Sequence, residues 1–185
     1  DTFENGLDFI ENYDTKPNLI TFLGSSFGNF DKSEGLVFLK KISSLMKSND
    51  LFLIGLDLKK DQKILHDAYN DTQNTTAKFN LNVLKRINDE LGGNFNLDKF
   101  EHHAIYNDEK GRIEMYLRSL SEQNIVIPKS DLSINLSKNE LIHTENSHKF
   151  SLGQIESLLQ GSNFEKLEIW FDSRNYFALV LAKKL

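Results

Sequence analysis

The order of apolar and polar residues along the chain predicts an α/β protein. Two continuous apolar runs, 19–23 and 51–57, predict strands buried on both faces, as in a parallel sheet. Between them, 34–46 has the apolar spacing of a helix, with Asp31 or Ser33 as the candidate N-cap. A strand, a helix and a strand joined by short turns predict one right-handed βαβ unit.

Two helices are predicted next. A short one over 59–69 turns Ile64, Leu65 and Ala68 inward. The strongest helical pattern of the chain covers 75–91, and a glycine pair follows it as a stop signal.

The apolar and polar pattern of the remaining residues predicts mostly strands. Residues 100–106 and 112–118 flank a polar turn and predict an antiparallel hairpin. Further predicted elements are short strands at 124–127 and 132–136, a helix at 152–160 capped by Ser151, and a closing hairpin of 164–171 with 176–181. Residues 1–13 carry a weak helical pattern, and 141–149 fit no element clearly.

Composition narrows the function classes. The 185 residues carry a net charge of -5 and no basic stretch with interleaved aromatics, so we expect no nucleic-acid partner. No apolar run approaches the roughly 20 residues of a membrane helix. The chain has no cysteine, which suits a cytoplasmic protein and leaves no thiolate metal ligand. It opens with Asp1 rather than Met, so we expect a fragment.

The candidate chemistry lies in the stretch Gly-Ser-Ser-Phe-Gly-Asn, residues 24–29, directly after the first strand. Ligands of open α/β sheets bind beyond the carboxyl ends of the strands, where Gly24 and Asn29 would lie. The alternative is that this stretch is only a tight strand-to-helix connection, and the local sequence by itself favours that alternative.

Together these elements predict the second half of a doubly wound sheet. The first strand of such a sheet normally carries a glycine-rich cofactor loop. No Gly-x-Gly-x-x-Gly motif occurs in the chain. If the protein uses a nucleotide cofactor, we expect that loop upstream of residue 1.

Seven short motifs occur in an informative order: FLGSSFGN at 22–29, GLDLKKD at 55–61, YND at 69–71, TAKFNLNVL at 76–84, FEH at 100–102, RIEMYL at 112–117 and TENSHKF at 144–150. This series resembles the C-terminal half to two thirds of the S-adenosylmethionine-dependent histidine Nα-methyltransferases. Those enzymes make trimethylhistidine (hercynine) on the way to ergothioneine. The resemblance runs over nearly the whole chain.

The resemblance implies the C-terminal part of a class I (Rossmann-like) methyltransferase sheet with an inserted α+β substrate-recognition domain. Residues 1–74 would be the second half of the core, 75–150 the insertion, and 151–185 the closing helix and hairpin. The co-substrate S-adenosylmethionine would be bound mainly by the missing N-terminal part, which leaves the cofactor-binding residues of this chain unknown. The fragment by itself is expected to be inactive.

The resemblance also implies a substrate site for histidine. Its predicted residues are Gly24, Asn29, Tyr69, Thr76, Met115, Glu145 and Ser147. Asn29 and Tyr69 would hold the α-amino-acid head, Gly24 and Thr76 would line the pocket, Met115 would pack against the imidazole, and Glu145 and Ser147 would hydrogen-bond it. No metal is expected, and no residue is assigned to catalysis apart from substrate positioning.

Several of these residues could instead have an ordinary structural role. Thr76 is a better candidate for the N-cap of the long helix than for a pocket contact. Met115 would be a core residue in most proteins, and Tyr69 is evenly balanced between core and site. Asp57 and Asp61 are expected to cap the helix that follows them.

Adjacent histidines also occur at 102 and 103. Neighbouring residues of a strand point to opposite faces, so this pair is not read as a metal site.

Three functions remain open on the sequence. The first is an enzyme fragment that methylates the Nα of histidine. The second is a truncated module that binds an amino acid without catalysis. The third is a methyltransferase for another amino acid such as tryptophan, although Glu145 together with Met115 favours imidazole over indole. The exposed edge of a half sheet also predicts self-association.

Overall fold

The computed structural model describes residues 6–7 and 16–185. The helical pattern predicted over 1–13 lies outside the described residues, apart from Gly6 and Leu7. The helices are α1 (Lys32–Leu45), α2 (Gln62–Tyr69), α3 (Thr75–Leu91) and α4 (Leu152–Gly161). The strands are β1 (Leu19–Phe22), β2 (Leu51–Asp57), β3 (Phe100–Asn107), β4 (Arg112–Ser119), β5 (Gln123–Ile127), β6 (Leu132–Leu136), β7 (Leu141–His148), β8 (Phe164–Phe171) and β9 (Phe177–Lys184).

The chain divides into two compact units, and each is described by itself. Unit 1 comprises Asp1–Lys59 and Ser147–Leu185, and unit 2 comprises Lys60–Asn146. Unit 1 holds a four-stranded sheet in the order β1-β2-β9-β8. β1 and β2 are parallel, whereas β9 is antiparallel to both of its neighbours. The predicted α/β class, the parallel βαβ unit and the closing hairpin are confirmed.

The two parallel strands differ in burial. Phe52, Ile54 and Leu56, which share one face of β2, are at most 1% exposed, whereas Leu51 and Leu53 on the other face are half-buried. The predicted burial on both faces is therefore complete on one face only. β1 lies at one end of the sheet order, and its first residue, Leu19, is 56% exposed. The prediction of a fully buried strand is therefore wrong for β1, which among the described residues has only β2 as a strand neighbour.

The core of unit 1 is one apolar cluster. Leu39 and Ile42 of α1 and Ile155 and Leu159 of α4 join the buried residues of β2 in it. Full burial of such a side chain contributes about 1.5–3 kcal/mol to folding, so the shared cluster fixes both helices on the sheet.

Side-chain caps set where these two helices begin. Asp31 is the N-cap of α1, and its backbone N–H donates to Glu34 Oε2 at 3.2 Å. At α4, Gln154 N donates to Ser151 Oγ at 3.3 Å while Ser151 N donates to Gln154 Oε1 at 2.9 Å. Both caps satisfy N–H groups that a helix start leaves unpaired, so the predicted caps Asp31 and Ser151 are confirmed.

Unit 2 is an α+β segment. It contains a three-stranded sheet in the order β3-β4-β7 and a separate two-stranded ribbon of β5 and β6. The register of β3 with β4 runs from Phe100 opposite Ser119 to Asn107 opposite Arg112, which confirms the predicted hairpin. Leu84 of α3 packs into the apolar cluster of this unit. β7 is the strand that the sequence pattern left unassigned.

The start of α2 differs from the prediction. Asp61 Oδ1 accepts hydrogen bonds from the N–H groups of Lys63 at 2.8 Å and Ile64 at 3.4 Å, so the helix begins at residue 62 rather than 59. Leu65 is buried as predicted. Ile64 and Ala68 are exposed, and their predicted inward orientation is wrong because this short helix buries a single residue.

The start of α3 corrects the role of Thr76. The Asp71 carboxylate accepts the N–H groups of Thr75 at 2.8 Å and Thr76 at 2.9 Å, and these bonds hold the pKa of Asp71 at about 2. The N-cap position is Asn74, so the prediction that Thr76 is the N-cap is wrong. An acidic side chain at this end is also favoured by the helix dipole.

No helix in the described part of the chain is long and apolar enough to cross a membrane. No group of three or more His, Cys, Asp and Glu side chains among these residues is placed to hold a metal ion.

Candidate functional site

The connection between β1 and α1 is a tight, irregular turn. Gly24 has φ +87° and Ser25 has φ +60°, and a short 3₁₀ turn, Ser26–Asn29, follows. Left-handed backbone suits glycine but costs another residue about 1–2 kcal/mol. The tight strand-to-helix connection proposed as the alternative is therefore present. It leaves Asn29 exposed at the end of the turn, beyond the carboxyl end of β1.

Phe27 anchors this turn in the core of unit 1. Its side chain is 2% exposed, and its ring centroid lies 6.2 Å from that of Phe22, 5.7 Å from Phe30 and 5.9 Å from Phe150. A Cβ on Gly35 of α1 would lie 2.9 Å from Phe27 Cζ. The glycine therefore lets the helix approach the ring, and the buried aromatic fixes the turn beside it.

Gly28 brings the turn against the end of β7. A Cβ on Gly28 would lie 2.9 Å from the His148 carbonyl oxygen and 3.5 Å from Ser147 Oγ. Only a residue without a side chain fits this approach. Two predicted site residues that are far apart in sequence, Asn29 and Ser147, are thus carried by segments in direct contact within unit 1.

We expect Gly28→Ala to lower the free energy of unfolding by about 1–3 kcal/mol, because the added methyl group must push the turn away from His148. Urea unfolding of the full-length protein measures this change. Gly153→Ala is the matched control, since its Cβ would meet nothing within 4 Å. Equal effects of the two substitutions would contradict the close approach.

A buried charge pair adjoins Ser147. Lys149 is 2% exposed, and its Nζ donates to Ser147 Oγ at 2.8 Å and pairs with Asp57 Oδ2 at 2.8 Å. Asp57 is the last residue of β2 and does not cap the next helix, so that prediction is wrong, while Asp61 does so as expected. No local pattern predicts this pair, because its members are 92 residues apart and a lone lysine after a strand is ordinarily exposed.

In unit 2, Tyr69 closes α2 and is held through its backbone. Asn80 Nδ2 donates to Tyr116 O at 3.0 Å and to His102 Nδ1 at 3.0 Å. Because Nδ1 accepts this bond, Nε2 carries the ring hydrogen and donates it to Tyr69 O at 2.9 Å. Sequence reasoning placed His102 on a strand but missed this structural role.

An open cavity of about 410 Å³ also lies in unit 2. Its lining residues are Tyr69, Asn70, Asp71, Asn74, Ala77, Lys78, Leu81, Phe100, Glu101 and His102. Tyr69 is the predicted site residue in this lining. The cavity is large enough for a small ligand, but its lining does not reproduce the predicted residue set.

Met115 is 2% exposed and lies in an apolar cluster with Leu65, Ala104 and Ile113. Its carbonyl oxygen accepts a hydrogen bond from Thr144 Oγ1 at 3.1 Å. The structure thus gives Met115 the core role that was its structural alternative, and packing against a substrate ring stays a prediction.

Glu145 and Ser147 both lie on β7. Alternate residues of a strand point to the same side, so the two side chains share a side of this strand. Glu145 is half-buried and Ser147 is 4% exposed. Their role as imidazole ligands stays a prediction.

The most extensive ionic network of unit 2 surrounds Glu114, which sequence reasoning did not single out. Its carboxylate accepts from Arg112 Nε at 2.9 Å, Tyr116 Oη at 2.8 Å and Asn107 Nδ2 at 3.3 Å, and Lys110 Nζ lies 3.5 Å away. Burial raises the pKa of Glu114, but the bonds from Tyr116 and Arg112 outweigh it and hold the pKa at about 2. The sequence pattern predicted this segment only as one strand of the hairpin.

The predicted site residues fall into two sets. Gly24, Asn29 and Ser147 belong to unit 1, and Tyr69, Thr76, Met115 and Glu145 belong to unit 2. Within unit 1, the structure brings the turn that carries Gly24 and Asn29 against Ser147. Within unit 2, Tyr69 packs against the cluster that contains Met115.

The fold and the polar strand-end turn define an α/β protein of the kind that binds ligands at the carboxyl ends of parallel strands. The chain belongs to the family of histidine-specific, S-adenosylmethionine-dependent methyltransferases, whose family model matches residues 1–184. The family membership inferred from the seven motifs is thereby confirmed.

The chain is also similar in sequence to individual proteins. The chain is 37% identical over 164 residues to the histidine N-alpha-methyltransferase of Mycolicibacterium smegmatis, covering 89% of this chain and 51% of that protein. It is 27% identical to ergothioneine biosynthesis protein 1 of Schizosaccharomyces pombe, covering 98% of this chain and 24% of that protein. It is also 27% identical to an L-tryptophan methyltransferase of Psilocybe serbica, covering 97% of this chain and 52% of that protein.

Among solved structures, the chain is similar to an S-adenosylmethionine-dependent methyltransferase from Clostridium acetobutylicum, with a TM-score of 0.46 and 14% identity over 95% of this chain and 62% of that one. The chain spans about half the length of the bacterial relatives that it matches.

The residues present do not form a recognisable site for the S-adenosylmethionine that the family uses. In the described part, the turn after β1 holds two left-handed residues and a buried phenylalanine rather than a glycine-rich loop that opens a helix. No residue of this chain is therefore assigned to the co-substrate.

Proposed function

We propose that the protein acts in the methylation of the α-amino nitrogen of histidine, with S-adenosylmethionine as the methyl donor. Family membership and the 37% identical bacterial relative support this substrate and reaction. The structural observation that carries the proposal is the contact of the Gly28 turn with the end of β7. It puts the segment of Asn29 beside Ser147.

Amine methylation depends mainly on positioning. The amine must be unprotonated, because its lone pair forms the new N–C bond while the S–C bond of the sulfonium breaks. After the first and second transfers an N–H proton leaves to solvent, and the third transfer gives the quaternary ammonium without loss of a proton. Holding the amine in line with the methyl group supplies most of the acceleration. Asn29 and Tyr69 would hold the amino-acid head, Gly24 and Thr76 would line the pocket, and Met115 would face the ring.

Glu145 and Ser147 would recognise the imidazole. A carboxylate only accepts hydrogen bonds, so Glu145 fits the ring N–H, and a hydroxyl fits the second ring nitrogen. Indole offers a single N–H and no acceptor nitrogen. A pair of polar groups on one side of β7 therefore favours histidine over tryptophan. The product, trimethylhistidine, would serve ergothioneine synthesis.

The proposal also covers the location of the protein, its substrate-recognition part and its self-association. We place the protein in the cytoplasm because it lacks cysteine. Residues 75–150 would be the substrate-recognition part. The exposed β1 side of the sheet would support self-association of the isolated chain.

The full-length protein tests the reaction when it is incubated with S-adenosylmethionine and either histidine or tryptophan, with the products followed by mass spectrometry. We expect mono-, di- and trimethylated histidine. Preferential methylation of tryptophan would establish the alternative substrate. Binding of histidine by calorimetry without any methylated product would instead support the non-catalytic binding module.

A further inference from the structure

His102 connects three elements of unit 2, because both of its ring nitrogens form hydrogen bonds. Asn80 Nδ2 of α3 donates to Nδ1 of the ring at 3.0 Å, and Nε2 lies 2.9 Å from the carbonyl oxygen of Tyr69 at the end of α2. The ring itself is carried by β3. Since Tyr69 is a predicted substrate residue, the bonds that hold it bear directly on the site.

The tautomer of His102 is set by Asn80. One hydrogen of Asn80 Nδ2 goes to the carbonyl oxygen of Tyr116 at 3.0 Å, and a flipped amide would bring two oxygens together there. The other hydrogen goes to His102 Nδ1, which must therefore be the acceptor. Nε2 then carries the ring hydrogen and donates it to the carbonyl oxygen of Tyr69.

Packing by itself does not explain an asparagine at position 80. Asn80 is 1% exposed, and its Oδ1 is buried and accepts no hydrogen bond from the described residues. Leu84, one turn further along α3, packs into an apolar cluster. Because a buried amide with incomplete hydrogen bonds costs free energy, packing would favour an apolar residue at position 80 as well. The amide therefore points to the role that it has for His102.

The bond from His102 satisfies a carbonyl group at the end of α2. Tyr69 is the last residue of this helix, and the final carbonyl groups of a helix have no partner within it. Asn70 Nδ2 donates to the carbonyl oxygen of Ala104 at 3.1 Å and ties the same helix end to β3 a second time. The Tyr69 ring packs against the cluster that contains Met115. The two bonds therefore hold the helix end, and with it the Tyr69 ring, at one place on the sheet.

We propose that His102 is a positioning residue that acts through Tyr69, and that Asn80 keeps it in the tautomer that this role requires. The inference rests on the proposed function and deepens it. Tyr69 is assigned to the amino-acid head, and the head carries the nitrogen that receives the methyl group. Because the transfer depends on alignment of that nitrogen, a small displacement of Tyr69 lowers its rate.

The experiment replaces His102 by two amides that each reproduce one side of the ring. His102→Gln places an N–H near the position of Nε2 and keeps a donor for Tyr69, whereas His102→Asn reproduces only the Nδ1 side and is too short for that carbonyl. In the full-length protein we expect His102→Asn to lower kcat/KM for histidine about tenfold and His102→Gln to stay within about twofold of wild type. KM for S-adenosylmethionine should be unchanged in both variants, since Tyr69 is assigned to the amino acid.

A double-mutant cycle tests whether the effect passes through Tyr69. If it does, the variant with both Tyr69→Phe and His102→Asn is no worse for histidine than Tyr69→Phe alone. Additive losses would overturn the inference. Equal losses in His102→Asn and His102→Gln would also overturn it, because a ring that only fills space is lost in both.

His103→Asn is the matched control. His103 is the next residue of β3, and neighbouring residues of a strand point to opposite faces, so we expect wild-type kcat/KM for histidine. A tenfold loss in this variant would overturn the inference, because the effect would not be specific to His102.

A second variant covers the case in which His102→Asn does not fold. Asn80→Leu keeps the ring and a similar side-chain volume but no longer sets the tautomer, so it must lower kcat/KM for histidine about fivefold. An unchanged value would overturn the inference. A wild-type protein that does not methylate histidine would refute the proposed function, whereas an active protein whose kcat/KM survives in His102→Asn would refute this inference alone.

Discussion

Glu145→Ala is expected to reduce kcat/KM for histidine about ten- to a hundredfold in the full-length protein, because the ring N–H then lies in the site without an acceptor. Leaving a buried hydrogen-bonding group unpaired costs about 1–3 kcal/mol, and each 1.4 kcal/mol corresponds to about a factor of ten. Steady-state methylation of histidine measures this effect. Tryptophan use should change far less, because the lost carboxylate is assigned to the imidazole.

Asn29→Ala is the comparison for this result. Asn29 is assigned to the amino-acid head that all substrates share, so its loss should lower the use of histidine and tryptophan by similar factors. Glu145→Gln keeps an acceptor oxygen without the charge and should fall between wild type and Glu145→Ala. If Glu145→Ala affects both amino acids equally, or neither, Glu145 is not the imidazole ligand.

Glu114→Ala is expected to lower the free energy of unfolding by about 3–5 kcal/mol, since it removes the anion from a buried network and leaves Arg112 and Tyr116 without their shared acceptor. The Glu114 side chain is 6% exposed and that of Arg112 is 15% exposed, so water replaces the lost bonds poorly. Urea unfolding at neutral pH measures the change.

The pH dependence of this difference provides a second measurement. The pKa of Glu114 is lowered from 4.5 to about 2 in the folded protein, so its contribution is fully present above pH 4.5 and is lost as the pH falls toward 2. The stability difference between wild type and Glu114→Ala should therefore shrink over that range.

Glu101→Ala is the matched control for Glu114→Ala. Glu101 pairs with Arg118 across the same hairpin, but its side chain is 42% exposed, so we expect a loss within about 1 kcal/mol. If Glu114→Ala and Glu101→Ala had the same free energy of unfolding, the network of Glu114 would not stabilise unit 2 more than an exposed ion pair does.

Elements with local signals could be predicted from the amino-acid sequence. The bounds of α3 agree with the prediction, because its apolar spacing and the glycine at its end act within a few residues. The strand β2, the hairpin of β3 and β4 and the cap at Ser151 followed from similar local patterns. The ordered motifs determined the family, since seven matches in one order carry more information than any one of them.

Contacts between residues that are far apart in sequence are visible only in the folded protein. Nothing near Lys149 in sequence indicates that Asp57 neutralises it, and burial of a charge depends on that distant partner. The requirement for glycine at position 28 comes from His148, which packs against it from a distant segment. A threonine at position 76 fits the pattern of a cap, whereas the Asp71 carboxylate accepts the N–H groups of Thr75 and Thr76 at the start of the helix. Local propensity ranks such candidates, but packing and long-range electrostatics choose between them.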